Sequence, residues 1–217
     1  MNYVNSAYIK CLFDELNKSG VTYALIKNVG KELPSNLISG KDIDIIVHKD
    51  SMCQFHNCMD KIGRKIIHPV GKEHGWENLY GLDEFEFWRL NTFDDIYIDV
   101  TNKLCCHSLM PKKWIPLDNI IQMDLWKNKM FDIENNWWRI DDDILFVYLV
   151  IRCVFDKQCF SPIYKLEIQN LLKFINEEIV VKYLRVVFFN FTEKLMLMLK
   201  NGEYDSIFNT YIKFGEY

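Results

Sequence analysis

Residues 39–47, SGKDIDIIV, decide the fold class predicted for this chain. Acidic and aliphatic residues alternate from Asp42 to Ile45, and the run then becomes fully apolar. Such alternation is typical of a β-strand with one buried face, and a strand places residues i and i+2 on the same side. Asp42 and Asp44 are therefore predicted to lie side by side, with Ile43 and Ile45 packed behind them.

Two adjacent carboxylates repel each other unless a cation neutralises them, and oxygen ligands of this kind suit Mg²⁺. The D-x-D pattern alone is weak support for a metal site, since Asp141 and Asp143 form a second pair that we interpret as a helix N-terminus. The first pair has a richer context, because Gly40 precedes it and Asp99 lies in a later alternating run, 96–100. The favoured interpretation is a metal site, and the alternative is a solvated acidic strand end.

The rest of the first hundred residues shows patterns that predict alternating helices and strands. Apolar residues at helical spacing predict a helix over 4–18, and β-forming residues predict a strand over 21–26, followed by a long loop. Further predicted elements are a helix over 50–62, a loop-rich segment over 63–81, and paired antiparallel strands over 85–90 and 96–100.

The second half of the chain has a different character. Apolar runs predict helices over 141–157, 163–176 and 178–200. The predicted fold is therefore α+β: a mixed β-sheet flanked by helices in a domain over 1–108, and a mainly helical C-terminal subdomain over 109–217. The last predicted helix is apolar nearly all round, which favours burial between neighbouring elements or a homo-oligomer formed through the C-terminal helices.

The order of helix, strand, loop, GKDIDIIV, helix and a later strand with a single Asp resembles the nucleotidyltransferase superfamily typified by DNA polymerase beta. The stretch YALIKN at 23–28, with the Leu33-Pro34 that follows, also looks like a bacterial branch of uncharacterised nucleotidyltransferases, some of them from surface-polysaccharide gene clusters. The resemblance covers about residues 4–104. It implies a mixed sheet flanked by helices.

The same resemblance implies a site. Asp42, Asp44 and Asp99 would bind two Mg²⁺ ions, with Mn²⁺ as a possible substitute. The family usually has Gly-Ser at the end of the first strand, packed against the nucleotide phosphates, and the corresponding place here is Lys27-Asn28, or Gly30-Lys31 under another alignment.

Four residues follow from this comparison as candidates for nucleotide binding. They are Lys27, Asn28, Gly40 and Lys41. Lysine charge can take the place of backbone N–H groups in holding phosphates.

The function implied is metal-dependent transfer of a nucleoside monophosphate from an NTP to a small-molecule, sugar or protein acceptor. Nucleic acid is a disfavoured partner because the net charge is −4, with 26 Lys and Arg against 30 Asp and Glu, and phosphate contacts dominate nucleic-acid affinity. One alternative is a phosphotransferase that acts on a cell-surface glycan precursor. Another is a non-catalytic binding module on the same fold.

Composition and cysteine usage narrow the class of protein. Hydrophobic residues make up 49% of 217 positions, which suffices for a core, and no apolar run reaches the ~20 residues that a membrane-spanning helix needs. Seven Cys without C-x-x-C spacing favour reduced thiols and a cytoplasmic location.

Weaker candidate sites, each with a structural alternative, are Cys53/His56/Cys58 and Cys105-Cys106-His107 for zinc, Trp76 and Trp137-Trp138 for stacking, His48 for substrate, and Arg152 and Lys157 for a triphosphate.

Overall fold

The computed structural model describes residues 2–28, 30–66, 85–107 and 114–211 of the chain. It divides into two compact units, Met1–Lys103 with Asn128–Ile140, and Leu104–Lys127 with Asp141–Tyr217. The predicted boundary between 108 and 109 differs from this division, since Asn128–Ile140 returns to the first unit. Most of the predicted loop-rich segment, 63–81, lies outside the described residues.

The first unit is built on a seven-stranded mixed sheet. Its strands are β1 (Tyr23–Leu25), β2 (Asp42–Val47), β3 (Gly63–Lys65), β4 (Phe85–Leu90), β5 (Tyr97–Thr101), β8 (Met130–Asp132) and β9 (Trp137–Arg139). Their order is β3-β4-β5-β2-β1-β9-β8. β2 runs parallel to β5 and β1 runs parallel to β9, whereas the other neighbours are antiparallel.

Two helices, α1 (Ser6–Lys18) and α2 (Met52–Ile62), pack on one face of this sheet. α1 begins where the Asn5 side chain accepts a hydrogen bond from the N–H of Ala7, and its apolar face is fully buried. Ile43 and Ile45 of β2 join the same core as these helices, as do Ile98 and Val100 of β5. The alternate residues of both strands therefore point to the opposite face of the sheet.

The hairpin of β8 and β9 explains why the chain returns to the first unit. Trp137 packs its ring 4.9 Å from that of Phe13 in α1, and the N–H of Ile140 donates to the carbonyl oxygen of Leu25 at 3.1 Å. The sequence signalled only a short apolar piece at 137–140. Parallel pairing of β9 with β1 joins residues more than 100 positions apart, and no local pattern encodes it.

The second unit is mainly helical, with one small two-stranded sheet of β6 (Cys105–His107) and β7 (Trp114–Pro116). Its helices are α3 (Asn119–Asn128, whose last residue is assigned to the first unit), α4 (Asp142–Ile151), α5 (Pro162–Leu171), α6 (Glu177–Phe188), α7 (Thr192–Asn201) and α8 (Tyr204–Tyr211). α4 continues into a π-helical turn, Arg152–Asp156.

The prediction of one helix over 178–200 is wrong. α6 ends at Phe188, a 3₁₀ turn follows at Phe189–Phe191, and α7 then begins. Phe189 has a φ of +49°, a conformation that a right-handed helix does not contain, and the Thr192 hydroxyl donates to its carbonyl oxygen at 2.8 Å. The apolar residues that made the sequence look like one helix therefore belong to two.

Within the part of the chain that the structure describes, no helix is both long enough and apolar enough to cross a lipid bilayer. Self-association through the C-terminal helices stays a prediction.

Candidate metal centre

The parallel pairing of β2 with β5 creates the site. In this register Asp44 lies opposite Asp99, and Asp42 precedes Asp44 by two residues on the same face. Carboxylate oxygens of the three residues lie within 4.8 Å of one another. The predicted convergence of these side chains is confirmed.

The three carboxyl groups are withdrawn from water to different degrees. Asp44 exposes 7% of its surface, and Asp42 and Asp99 are half-buried. Burial raises the pKa of Asp99 to about 9, and the negative charges of Asp44 and Asp42 and a hydrogen bond with Asp42 act in the same direction, although the Lys27 charge opposes them. Without a metal ion, these surroundings therefore favour the protonated form of Asp99.

A lysine ammonium also enters this cluster. Lys27 Nζ lies 2.5 Å from Asp44 Oδ1, and the two side chains are only 16% and 10% exposed. Lys27 was predicted to hold phosphates. The structure places it directly against one of the three aspartates.

Asn28 fixes the backbone from which Asp42 and Asp44 project. Its side-chain Nδ2 donates to the carbonyl oxygen of Asp42 at 2.9 Å, and its Oδ1 accepts from the N–H of Asp44 at 3.0 Å. The side-chain amide thus bonds β2 as a neighbouring strand would, just past the end of β1. Asn28 has a φ of +80°, a conformation that asparagine tolerates better than most residues, and this brings its amide over β2.

The other two predicted nucleotide-binding residues lie at the entrance to β2. Gly40 has a φ of +88°, which favours glycine, and its N–H donates to the carbonyl oxygen of Asp95 at 2.9 Å. Lys41 forms an ion pair with Glu32. Both residues directly precede Asp42, and their contacts hold the start of β2 against neighbouring loops.

Sequence reasoning missed Glu32. Its carboxylate forms an ion pair with Lys41 and accepts a hydrogen bond from Asn28 Nδ2 at 3.4 Å. Glu32 therefore contacts two of the four predicted nucleotide-binding residues. No pattern in the sequence singled it out, because it lies in an irregular segment with neither strand alternation nor helical spacing.

The donor set fits a hard divalent cation. Three carboxylates from two adjacent strands supply oxygen ligands, which Mg²⁺ and Mn²⁺ prefer. Burial raises the pKa of Asp99, and the negative charges of Asp44 and Asp42 raise it further. A divalent ion bound there would offset the repulsion among the three carboxylates.

The zinc candidates do not assemble. Among the residues described, Asp42, Asp44 and Asp99 form the one group of three His, Cys, Asp or Glu side chains close enough to share an ion. His56 instead lies 2.9 Å from the Glu86 carboxylate, and Cys58 is buried in the core. The remaining candidate cysteines are Cys53, which is exposed, and Cys105 and Cys106, which are buried in β6.

The other weak candidates have structural partners. His48 Nδ1 accepts from the N–H of Asp50 at 3.3 Å, and Arg152 forms a buried ion pair with Asp156 at 3.2 Å. Trp137 belongs to the core, and Lys129 lies 3.6 Å from the centre of a Trp138 ring. Trp76 lies outside the described residues.

Neither a protein-family model nor a curated protein matches this chain.

Proposed function

We propose that the protein is a metal-dependent nucleotidyltransferase that moves a nucleoside monophosphate from an NTP to a small-molecule, sugar or protein acceptor. One observation carries the proposal: three carboxylates on one face of two adjacent parallel strands have oxygens within 4.8 Å of one another. The resemblance of residues 4–104 to nucleotidyltransferases supports the same reaction.

The roles of the chain's residues follow from where they lie. Asp42 and Asp44 would hold metal ions from β2, and Asp99 would complete the site from β5. Mg²⁺ ions held by these carboxylates would supply positive charge for the triphosphate and would lower the pKa of an attacking hydroxyl. Asn28 keeps the start of β2 in place, and the Lys27 ammonium, which contacts Asp44, would donate to phosphate oxygens of the bound nucleotide.

The acceptor class rests on charge. A net charge of −4 provides no general attraction for a polyanion, which favours a small molecule, a sugar or a protein over a nucleic acid.

The test is pyrophosphate release from ATP, CTP, GTP and UTP, each with and without Mg²⁺, in the presence of panels of sugar, sugar-phosphate and protein acceptors. We expect Mg²⁺-dependent release with at least one NTP, and its loss in Asp44→Asn. The matched control is Asp141→Asn in the second D-x-D pair, because Asp141 caps α4 by accepting from the N–H of Ile144 at 2.8 Å and asparagine caps helices equally well.

Three other results would overturn the proposal. Transfer of a phosphorylated alcohol or sugar without pyrophosphate release would identify a phosphotransferase. Absence of any metal-dependent ligand would identify a binding module. Equal loss of activity in Asp44→Asn and Asp141→Asn would place the chemistry elsewhere.

A further inference from the structure

The Lys27 ammonium contacts an oxygen that a divalent ion in the proposed site would bind. Its Nζ lies 2.5 Å from Asp44 Oδ1, and Mg²⁺ binds carboxylate oxygens at about 2.0 to 2.1 Å. An ammonium group and a divalent ion at these distances would compete for the same oxygen and would repel each other. A divalent ion that binds Oδ1 of Asp44 therefore competes with the Lys27 ammonium for this oxygen.

The local backbone holds Lys27 in this place. The next residue, Asn28, is bonded to the backbone of both Asp42 and Asp44, and the N–H of Ile26 donates to the carbonyl oxygen of Asp44 at 3.1 Å. The residues on both sides of Lys27 are thus fixed to β2. The contact between Lys27 and Asp44 is therefore built into the fold, unlike a chance meeting of two exposed side chains.

The lysine stem nevertheless allows the ammonium to leave. Four methylene groups let Nζ swing while the backbone stays fixed, and an ammonium donates readily to phosphate oxygens. We infer that Lys27 is a built-in counter-cation, which neutralises Asp44 in the metal-free protein and is exchanged for a divalent ion when the metal centre fills. The inference rests on the proposed function, because it requires Asp44 to be a metal ligand.

The consequence is a lowered metal affinity in the absence of nucleotide. A divalent ion that binds Oδ1 of Asp44 displaces or is repelled by the Lys27 ammonium, so removing the ammonium should strengthen metal binding. Replacement by methionine keeps most of the unbranched apolar stem and removes the ammonium, with its charge and its three N–H donors.

The test is Mn²⁺ titration of nucleotide-free protein by calorimetry at fixed pH, for wild type, Lys27→Met and Lys27→Arg. We expect Lys27→Met to bind Mn²⁺ about tenfold more tightly than wild type, the gain expected when a competing contact of ordinary strength is lost. Lys27→Arg keeps the charge and should stay within about threefold of wild type, a factor equivalent to well under 1 kcal/mol. Lys27→Gln serves as the neutral variant if Lys27→Met does not fold.

The control is Lys18→Met, which removes one positive charge from an exposed side chain of α1 whose partner is Glu15 at 3.6 Å. It should leave Mn²⁺ affinity unchanged. Equal or weaker Mn²⁺ binding by both neutral Lys27 variants would overturn the inference and leave the proposed metal site standing. Failure of every protein, wild type included, to bind Mn²⁺ would overturn the site and the inference together.

Discussion

Glu86 and Asp99 are acids on neighbouring strands of one sheet, and they have opposite surroundings. In the register of β4 and β5, Glu86 pairs with Val100 and Phe87 pairs with Asp99, so the two carboxyl groups lie on opposite faces. Glu86 accepts from Lys65 Nζ at 2.7 Å and from Trp88 Nε1 at 3.0 Å. His56 Nε2 lies 2.9 Å from both of its oxygens.

The pKa directions of the two acids differ accordingly. Burial raises the pKa of Glu86, but the hydrogen bonds from Lys65, Trp88 and His56 outweigh it and bring the pKa below its usual range. Burial also raises the pKa of Asp99, and there the neighbouring aspartates add to the rise. Glu86 therefore has its charge satisfied by hydrogen bonds within the protein, whereas the two carboxylates beside Asp99 add negative charge around it. The difference fits a structural role for Glu86 and the metal-binding role proposed for Asp99.

The largest expected difference between the carboxylate cluster and the Glu86 site is in catalytic activity. We expect Asp44→Asn to lower kcat about 1,000-fold, a loss typical of removing one charge-stabilising group at a reacting centre. Glu86→Gln should stay within about twofold of wild type, a rate difference of only a few tenths of a kcal/mol. The measurement is NTP turnover in Mg²⁺, with circular dichroism to verify folding. Comparable losses in the two variants would break the distinction.

The second-largest expected effect is a loss of stability in Glu86→Gln. We expect Glu86→Gln to reduce the free energy of unfolding at pH 7 by about 1 to 2 kcal/mol, a modest value because Lys65 and His56 are partly exposed. A carboxylate with a lowered pKa stabilises the fold above its unfolded pKa and loses that contribution as pH falls through its folded pKa. The difference between wild type and variant should therefore shrink below about pH 4.

Urea unfolding at pH 7, 5 and 3 measures this dependence. A difference that stays constant over the whole range would show that the Glu86 charge does not stabilise the fold.

A similar or slightly smaller loss of stability is expected when Asn28, which supports the backbone of the carboxylate cluster, is replaced. Asn28→Ala removes two hydrogen bonds to β2 and leaves a Cβ at a φ of +80°, which together cost about 1 to 2 kcal/mol. Asn28→Gly loses the same bonds without the strain and should be the milder variant by about 0.5 to 1 kcal/mol. The measurement is again urea unfolding. If alanine is tolerated as well as glycine, backbone strain at position 28 plays no part.

The smallest expected effect has the opposite sign. Asp99→Asn keeps the shape of the side chain and removes an ionisable group that is buried beside two carboxylates. The metal-free protein should gain about 1 kcal/mol in stability at pH 7, since the unfavourable burial is relieved. Thermal unfolding in EDTA measures the change. A loss of stability would show that Asp99, like Glu86, is held by favourable partners.

Sequence reasoning reached part of this site. Alternation within one strand placed Asp42 and Asp44 on the same face, because side-chain direction in a strand is a local property. Asp99 was singled out from its later alternating strand, but its place opposite Asp44 depends on parallel pairing between strands 55 residues apart, which no local pattern encodes. Lys27 was assigned to phosphate, since nothing in the sequence indicates that its ammonium lies on Asp44.

The sequence also predicted part of the fold. The strand over 85–90 was predicted with its observed bounds, and the strand over 96–100 lies one residue later in the structure. The hairpin of β8 and β9 was missed because short strands pair through distant partners. The break at Phe189 was missed because a positive φ at a bulky apolar residue has no signal in composition.

The most direct test of the metal centre is anomalous diffraction from crystals soaked in Mn²⁺ with a non-hydrolysable NTP. The account predicts anomalous peaks about 2.0 to 2.3 Å from the carboxylate oxygens of Asp42, Asp44 and Asp99, and about 3.5 to 4 Å from each other if two ions bind. Lys27 Nζ should then lie beyond hydrogen-bonding distance of Asp44. At saturating Mn²⁺, the absence of any peak among these three carboxylates, with Lys27 still on Asp44, would contradict the account.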